Sequence, residues 1–168
     1  RFSPDLYWKI WKANQVDFIT SSPDGSAFVT DTMDNPRLFD ARLTYSKAAM
    51  LLHMLRWKIG DGNFYTAIRN YQNNPLLSHS YARNIDLKNE LELESGQNLD
   101  EFFEDWYWGE GYPSYQLSYD QDNANLVSFT LSQSQSHPSV SFFEMPVPIL
   151  FKNGNQDTTI VFNHTFSG

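Results

Sequence analysis

The chain has 168 residues, of which 40% are hydrophobic and 16% aromatic, and this composition excludes an intrinsically disordered polypeptide. Its formal net charge of −8 argues against a nucleic-acid partner or an anionic membrane surface. The absence of cysteine excludes disulfides, thiolate zinc sites and cysteine catalysis. No apolar run approaches the ~18 residues of a membrane span, so none is predicted.

The first part of the chain is predicted to be helical. Ser3-Pro4-Asp5 is typical of a helix start, with an N-cap, a proline in the first turn and an acidic residue. Residues 21–40 are predicted to form a loop with a short strand at 27–29. Further helices are predicted over about 43–59, through Phe64, Ile68 and Tyr71, over about 86–94 and over about 99–108.

The helix over 43–59 has the clearest pattern. Apolar residues recur at helical spacing and Gly60 follows as a C-cap, while further apolar residues predict burial on most sides. The helix over 99–108 is predicted to begin with a capping box of Asn98 and Glu101 and to bury Phe102, Phe103 and Trp106.

After Pro113 the hydrophobic period changes to two, which predicts strands. Four short runs are expected, through 115–119, 127–131, 140–151 and 160–162, with Pro146 and Pro148 interrupting the third. Only one of the 12 basic residues lies beyond position 111. We therefore predict an α+β chain in separate layers: an all-α helical subdomain at 1–111, then an incomplete β-sandwich at 112–168, cut short at Gly168.

The sequence offers few residues for chemistry. The four histidines, His53, His79, His137 and His164, match no H-E-x-x-H spacing, so no metal site is predicted within this chain. There is no G-x-S-x-G elbow and no glycine-rich phosphate loop. A Ser-His-Asp triad stays open, since its members need only meet in space.

Tyr45 is the candidate catalytic residue. It lies at the mouth of the long helix, two residues before Lys47. A phenol on such a rigid support can donate a hydrogen bond to an oxyanion. From the residues alone, a packed tyrosine with a satisfied hydroxyl is the favoured interpretation.

An ordered set of short motifs resembles the zinc aminopeptidases of the aminopeptidase N and leukotriene hydrolase type, which are gluzincins of metallopeptidase family M1. Their catalytic helix opens with Tyr-x-Lys-Gly and continues into an apolar segment and a Gly-Asp/Glu turn. The matching residues here are Tyr45, Lys47, Ala49, Leu52-His53-Met54-Leu55-Arg56, Gly60-Asp61, Phe64, Ile68-Arg69-Asn70-Tyr71, Ser95-Gly96-Gln97-Asn98-Leu99, Phe102-Phe103, Trp106, Gly111-Tyr112-Pro113, Gln133 and 143–149.

The resemblance implies that Tyr45 donates its hydroxyl to the tetrahedral intermediate formed when zinc-activated water attacks a peptide carbonyl. Lys47 is given a positioning role at most, and Ala48 replaces the family's usual glycine. The family's zinc motif, second glutamate ligand and Gly-x-Met-Glu-Asn loop are missing. The chain therefore resembles the carboxyl-side half of a catalytic domain with the start of a sandwich, expected to bind no zinc and to be inactive alone. Its implied partners are a peptide substrate and the remainder of the catalytic domain.

Several alternatives stay open at this stage. The fold could serve as a non-catalytic scaffold, or as a carbohydrate- or surface-binding module. The last would expose coplanar aromatic side chains, whereas the alternation of Tyr115, Tyr119 and Phe129 with polar residues predicts that they pack in the sandwich core. Both peptide trimming and epoxide opening are compatible with the resemblance. The absence of cysteine fits a secreted or periplasmic protein, and open strand edges favour self-association.

Overall fold

The computed structural model describes residues 4–122, 126–154 and 156–165, and its first part is helical, as predicted. The N-cap predicted at Ser3 lies outside the described residues. The helices are α1 (Pro4–Ile19), α2 (Asn35–Leu38), α3 (Ala48–Ile59), α4 (Asp61–Asn73), α5 (Asn84–Ser95) and α6 (Asp100–Phe102). None of these helices is both long and apolar enough to cross a membrane.

Two of the predicted helices contain π-helical turns. The helix expected over 43–59 consists of a first π segment (Ala41–Lys47) that continues into α3. The helix expected over 99–108 consists of α6 and a second π segment (Phe103–Trp108). In both segments a backbone N–H bonds to the carbonyl five residues earlier, as Gly109 N does to Glu104 O at 2.9 Å. An apolar spacing of three and four residues gives no signal for this change.

The helical core lies between α3, α4, α5 and the second π segment. Phe102, Phe103 and Trp106 are buried, as predicted. The other buried apolar side chains of this region include Leu51, Leu55, Ile59, Phe64, Ala67, Leu91 and Leu99. The expectation that α3 is buried on most sides is wrong, because Leu52 and Trp57 are 39% and 48% exposed.

Three local predictions in the helical part fail. The loop predicted over residues 21–40 contains the short helix α2. Residues 27–29 form no strand, although Phe28 N donates to Tyr107 O at 3.1 Å. The capping box of Asn98 and Glu101 does not form either. Asn98 Oδ1 instead accepts the N–H of Asp100 at 2.8 Å, a local turn in which the side chain satisfies the backbone two residues on.

The strands form two separate antiparallel hairpins. Strands β1 (Pro113–Gln121) and β2 (Val127–Gln135) pair in one sheet, and β3 (Met145–Asn153) and β4 (Gln156–His164) pair in the other. The register places Leu117 opposite Leu131 and Ile149 opposite Ile160. A helical part followed by a partial β domain confirms the predicted fold class. The division into domains between residues 111 and 112 stays a prediction.

The inner faces of the hairpins contact each other through aromatic side chains. The ring centroid of Phe129 lies 4.7 Å from that of Phe162 and 6.1 Å from that of Phe151. Tyr119 and Tyr115, predicted to pack in the same core, are 76% and 42% exposed, so that expectation is wrong for both. Tyr119 lines an open cleft between the hairpins, because two two-stranded sheets cannot cover the whole face.

A buried joint connects the helical part to the start of β3. Asp105 Oδ2 accepts the N–H of Glu144 at 3.0 Å, and Trp106 Nε1 donates to the carbonyl of Glu144 at 3.1 Å. The fully buried Phe143 packs on Trp106 with ring centroids 4.7 Å apart. Gln133 holds the same residue from the other side, accepting Phe143 N at 2.9 Å and donating to Phe143 O at 3.0 Å. The third strand was predicted to begin near residue 140. These contacts explain why β3 begins only at Met145.

The joint makes stability depend on pH in a predictable direction. Burial raises the pKa of Asp105 to about 6, and the nearby charge of Glu101 acts in the same sense. An unfolded aspartate titrates near pH ~4, so between about pH 4 and pH 6 the folded state binds the proton more tightly. The contribution of Asp105 to the free energy of unfolding therefore falls as pH rises through this window.

Asp105→Asn is expected to remove that decline while keeping an acceptor for Glu144 N. Urea unfolding of both proteins at several pH values between about 4 and 7 measures it. As pH rises, the free energy of unfolding should fall more steeply for the wild type than for the variant. Parallel curves would contradict the prediction.

Candidate active site around Tyr45

Tyr45 lies in the first π segment, directly before α3, and its side chain is 57% exposed. Asp40 caps the start of the segment, and its Oδ1 accepts the N–H of Leu43 at 2.6 Å. At its end, Ala48 N donates to the carbonyl of Leu43, five residues earlier. Such π turns are rare and often lie at functional sites. The predicted catalytic tyrosine thus combines a hydrogen-bonded backbone with an open side chain.

Lys47, two residues further on, is buried and only 4% exposed. Its Nζ donates to the carbonyl oxygens of Gly25 at 2.8 Å, Gly109 at 3.2 Å and Gly111 at 3.3 Å. Burial lowers the pKa of this ammonium to about 8. Among nearby charges, Arg42 and Arg37 lower the pKa further and Glu110 raises it.

Two arginines donate hydrogen bonds to the loop of residues 20–28, which we call the carbonyl loop: Arg42 from the first π segment and Arg37 from α2. Arg42 Nη1 donates to the carbonyl of Asp24 at 3.0 Å, and Arg42 Nη2 lies 3.2 Å from the carboxylate of Asp24. Arg37 Nη2 donates to the carbonyls of Ser26 at 2.8 Å and Phe28 at 2.7 Å. Together with Lys47, these cations donate hydrogen bonds to backbone carbonyls of the loop.

Residues 109–112, which we call the connector, hold the carbonyl loop from its other side. Glu110 Oε2 accepts the N–H of Gly25 at 2.9 Å, and Tyr112 Oη donates to the carbonyl of Thr20 at 3.1 Å. The carbonyl loop is therefore fixed between the first π segment and the connector. Lys47, at the end of the π segment, contacts both the loop and the connector.

The other predicted candidates do not join this site. His53 lies on α3 with its ring 5.2 Å from that of Trp8, and His164 Nδ1 lies 3.2 Å from Gln133 Nε2. His137 Nε2 lies 4.0 Å from Glu110, on the connector side. Within 4–122, 126–154 and 156–165, no three His, Asp or Glu side chains meet as a potential metal site. The described residues therefore do not fit the zinc ion of the resembling enzymes.

A comparison with protein families identifies the chain. Residues 3–106 match the model of the Peptidase family M1 domain. The chain belongs to this family. The match covers the first π segment with Tyr45 and Lys47, the helical core and the second π segment up to Trp106.

Curated relatives of the M1 chain agree with this assignment. A probable aminopeptidase 2 from Sulfurisphaera tokodaii is 33% identical over 66% of this chain and 14% of its own length. Aminopeptidase N from Lactococcus lactis subsp. lactis is 34% identical over 58% of this chain and 10% of its own length. The tricorn protease-interacting factor F2 from Thermoplasma volcanium is 28% identical over 86% of this chain. The chain thus spans between 10% and 19% of the length of these relatives.

Sequence reasoning identified Tyr45 and Lys47 but missed Arg37, Arg42 and Glu110. Arg37, Arg42 and Lys47 follow one another at intervals of five residues. This spacing is the one signal that could have grouped them. Their acceptors are backbone carbonyls, which carry no residue-type signature.

Proposed function

We propose that this chain supplies the transition-state-stabilising tyrosine of an aminopeptidase that removes N-terminal residues from peptides. The observation that carries the proposal is the placement of Tyr45, an exposed phenol on a segment that Asp40 caps and that Arg42 and Lys47 bond to the carbonyl loop. Family membership and the aminopeptidase names of the relatives support the reaction class.

In the proposed reaction, Tyr45 donates its hydroxyl hydrogen bond to the carbonyl oxygen of the scissile peptide bond. That oxygen gains negative charge as the carbon becomes tetrahedral, so the bond strengthens on the way to the transition state. A donor fixed before the reaction stabilises this charge without having to reorganise. The first π segment keeps the backbone of Tyr45 in place through the Asp40 cap and the Lys47 contacts.

The zinc ion of this family would be held by residues outside the described part of the chain, because the described residues bring no suitable ligands together. We propose that the chain is a fragment in functional terms. The remainder of the catalytic domain would then supply the metal site and the site for the substrate's amino group.

The isolated 168-residue chain is therefore expected to release no 4-nitroaniline from aminoacyl-4-nitroanilides, with or without added zinc. The full-length protein that contains the chain is expected to do so. Zinc-dependent turnover by the isolated chain would show that the fragment assignment is wrong. Failure of the full-length protein to cleave any aminoacyl-anilide or peptide would overturn the aminopeptidase proposal.

A further inference from the structure

Lys47 contacts both the carbonyl loop and the connector through one side-chain group. Its ammonium donates to Gly25 O in the loop and to Gly109 O and Gly111 O in the connector. These acceptors lie 22, 62 and 64 residues away in sequence. A single buried side chain thereby fixes the end of the first π segment against two distant parts of the chain.

We propose that Lys47 is a positioning residue for Tyr45, holding the first π segment in register with the carbonyl loop and the connector so that the phenol meets the oxyanion. This inference rests on the proposed function of Tyr45. Lys47 itself contacts no reacting atom, since its side chain is buried while that of Tyr45 is open. Lys47 acts by fixing the position of the Tyr45 phenol.

The geometry of the contacts explains why an ammonium suits this position. An ammonium has three N–H donors and no acceptor, and Lys47 has three carbonyl acceptors within 3.3 Å. A guanidinium is planar and larger and would not match three converging carbonyls. Loss of the ammonium would leave these carbonyls in a buried site without their donor, so the π segment would shift to let water or other donors reach them.

The charges around the Lys47 ammonium are on balance unfavourable to it. The groups that face Lys47 are Arg42 from its own segment, Arg37 from α2 and Glu110 from the connector. Two of these three charges repel the ammonium. Arg42 is partly neutralised by Asp24, and Glu110 also accepts the N–H of Gly25. The carbonyl contacts and Glu110 therefore offset part of the cost of burial and repulsion, while the pKa of Lys47 stays lowered.

A shift of the segment has a large effect only if the phenol acts in the transition state. A displacement of about 1 Å in a catalytic group can cost about 100-fold in rate. Removing the ammonium should therefore lower kcat, with little change in KM, while Tyr45 is present. In a protein without the Tyr45 hydroxyl, a shift of the segment should change kcat little.

The test is a double-mutant cycle of Lys47→Met and Tyr45→Phe in the full-length protein, assayed on an aminoacyl-4-nitroanilide. Lys47→Met is expected to lower kcat about 10- to 100-fold in the wild-type background. In the Tyr45→Phe background the same substitution is expected to change kcat less than about threefold. The matched control is Lys88→Met, because Lys88 is also buried and bonds to Glu92 at 2.9 Å and Asp100 at 2.6 Å, on α5 and α6. Lys88→Met should lower the melting temperature and leave kcat unchanged.

The outcomes separate the two proposals. If Tyr45→Phe alone leaves kcat intact, the proposed function fails. If Tyr45→Phe lowers kcat but Lys47→Met has no effect, or has the same effect in both backgrounds, the positioning role is overturned. If Lys47→Met does not fold, Lys47→Gln replaces it, since its amide can keep part of the contact, and a smaller coupled loss is expected. If neither variant folds, Lys47 serves the fold alone and the inference is wrong.

Discussion

Tyr45→Phe in the full-length protein is expected to lower kcat on aminoacyl-4-nitroanilides by about 10²- to 10³-fold, the usual effect of losing one oxyanion donor. The substitution removes a single oxygen from a side chain that is 57% exposed, so the fold should be unaffected. KM should change little, because the hydrogen bond forms mainly as charge develops in the transition state. Steady-state kinetics at saturating and limiting substrate separates the two constants.

The control for this prediction is Tyr81→Phe. Tyr81 is 97% exposed in the connection between α4 and α5. The substitution there removes the same hydroxyl oxygen from a side chain that is surrounded by solvent. This variant should keep wild-type kcat and KM. A Tyr45→Phe protein as active as Tyr81→Phe would remove the proposed role of the phenol.

Gly109→Ala is expected to destabilise the protein by about 1–3 kcal/mol, the usual cost of an extra methyl group in a packed site. A Cβ placed on Gly109 would overlap the carbonyl oxygen of Asp105 and the Cγ2 methyl of Val140. The first of these is backbone, which cannot move aside as a flexible side chain can. The same methyl group would disturb the Gly109 carbonyl that accepts from Lys47. Urea unfolding measures the stability, and kinetics of the full-length variant measures the effect on the site.

Gly62→Ala provides the matched control for that substitution. Gly62 lies in α4, and a Cβ there would meet no atom within 4 Å. The variant is expected to be within about 1 kcal/mol of wild type, on the stabilising side, because alanine loses less backbone entropy on folding. Equal stability of the Gly109→Ala and Gly62→Ala proteins would contradict the predicted overlap.

The sequence allowed the helical part to be predicted well because its apolar residues recur at helical spacing. Phe102, Phe103 and Trp106 are buried as that spacing requires. The π turns at Ala41–Lys47 and Phe103–Trp108 could not be predicted, since they depend on which carbonyl each N–H selects. The exposure of Leu52 and Trp57 was also missed, because apolar character predicts burial whatever the neighbouring elements are.

The strand region shows a different limit. The alternation of residues predicted the strands, but not where the third one starts, because Phe143 and Glu144 are held by Trp106 and Asp105 of the second π segment. Long-range contacts of this kind leave no local pattern. The same reason applies to the candidate site. Tyr45 could be proposed from its motif, whereas the carbonyl loop and its cations are joined only by folding.

The two hairpins have a further consequence for how the molecule opens. In the first hairpin Ser136 N bonds to Tyr112 O and Asp122 N bonds to Leu126 O, so the even-numbered residues of β1 carry the ladder. The amides of Tyr115, Leu117 and Tyr119 point away from β2, and within the described residues no third strand lies beside them. Two-stranded sheets have low stability on their own, and these two are supported mainly by the aromatic contacts between them, so they should unfold at a lower temperature than the helices. Any polypeptide that added a strand along β1 would stabilise this sheet and raise the temperature at which it begins to unfold.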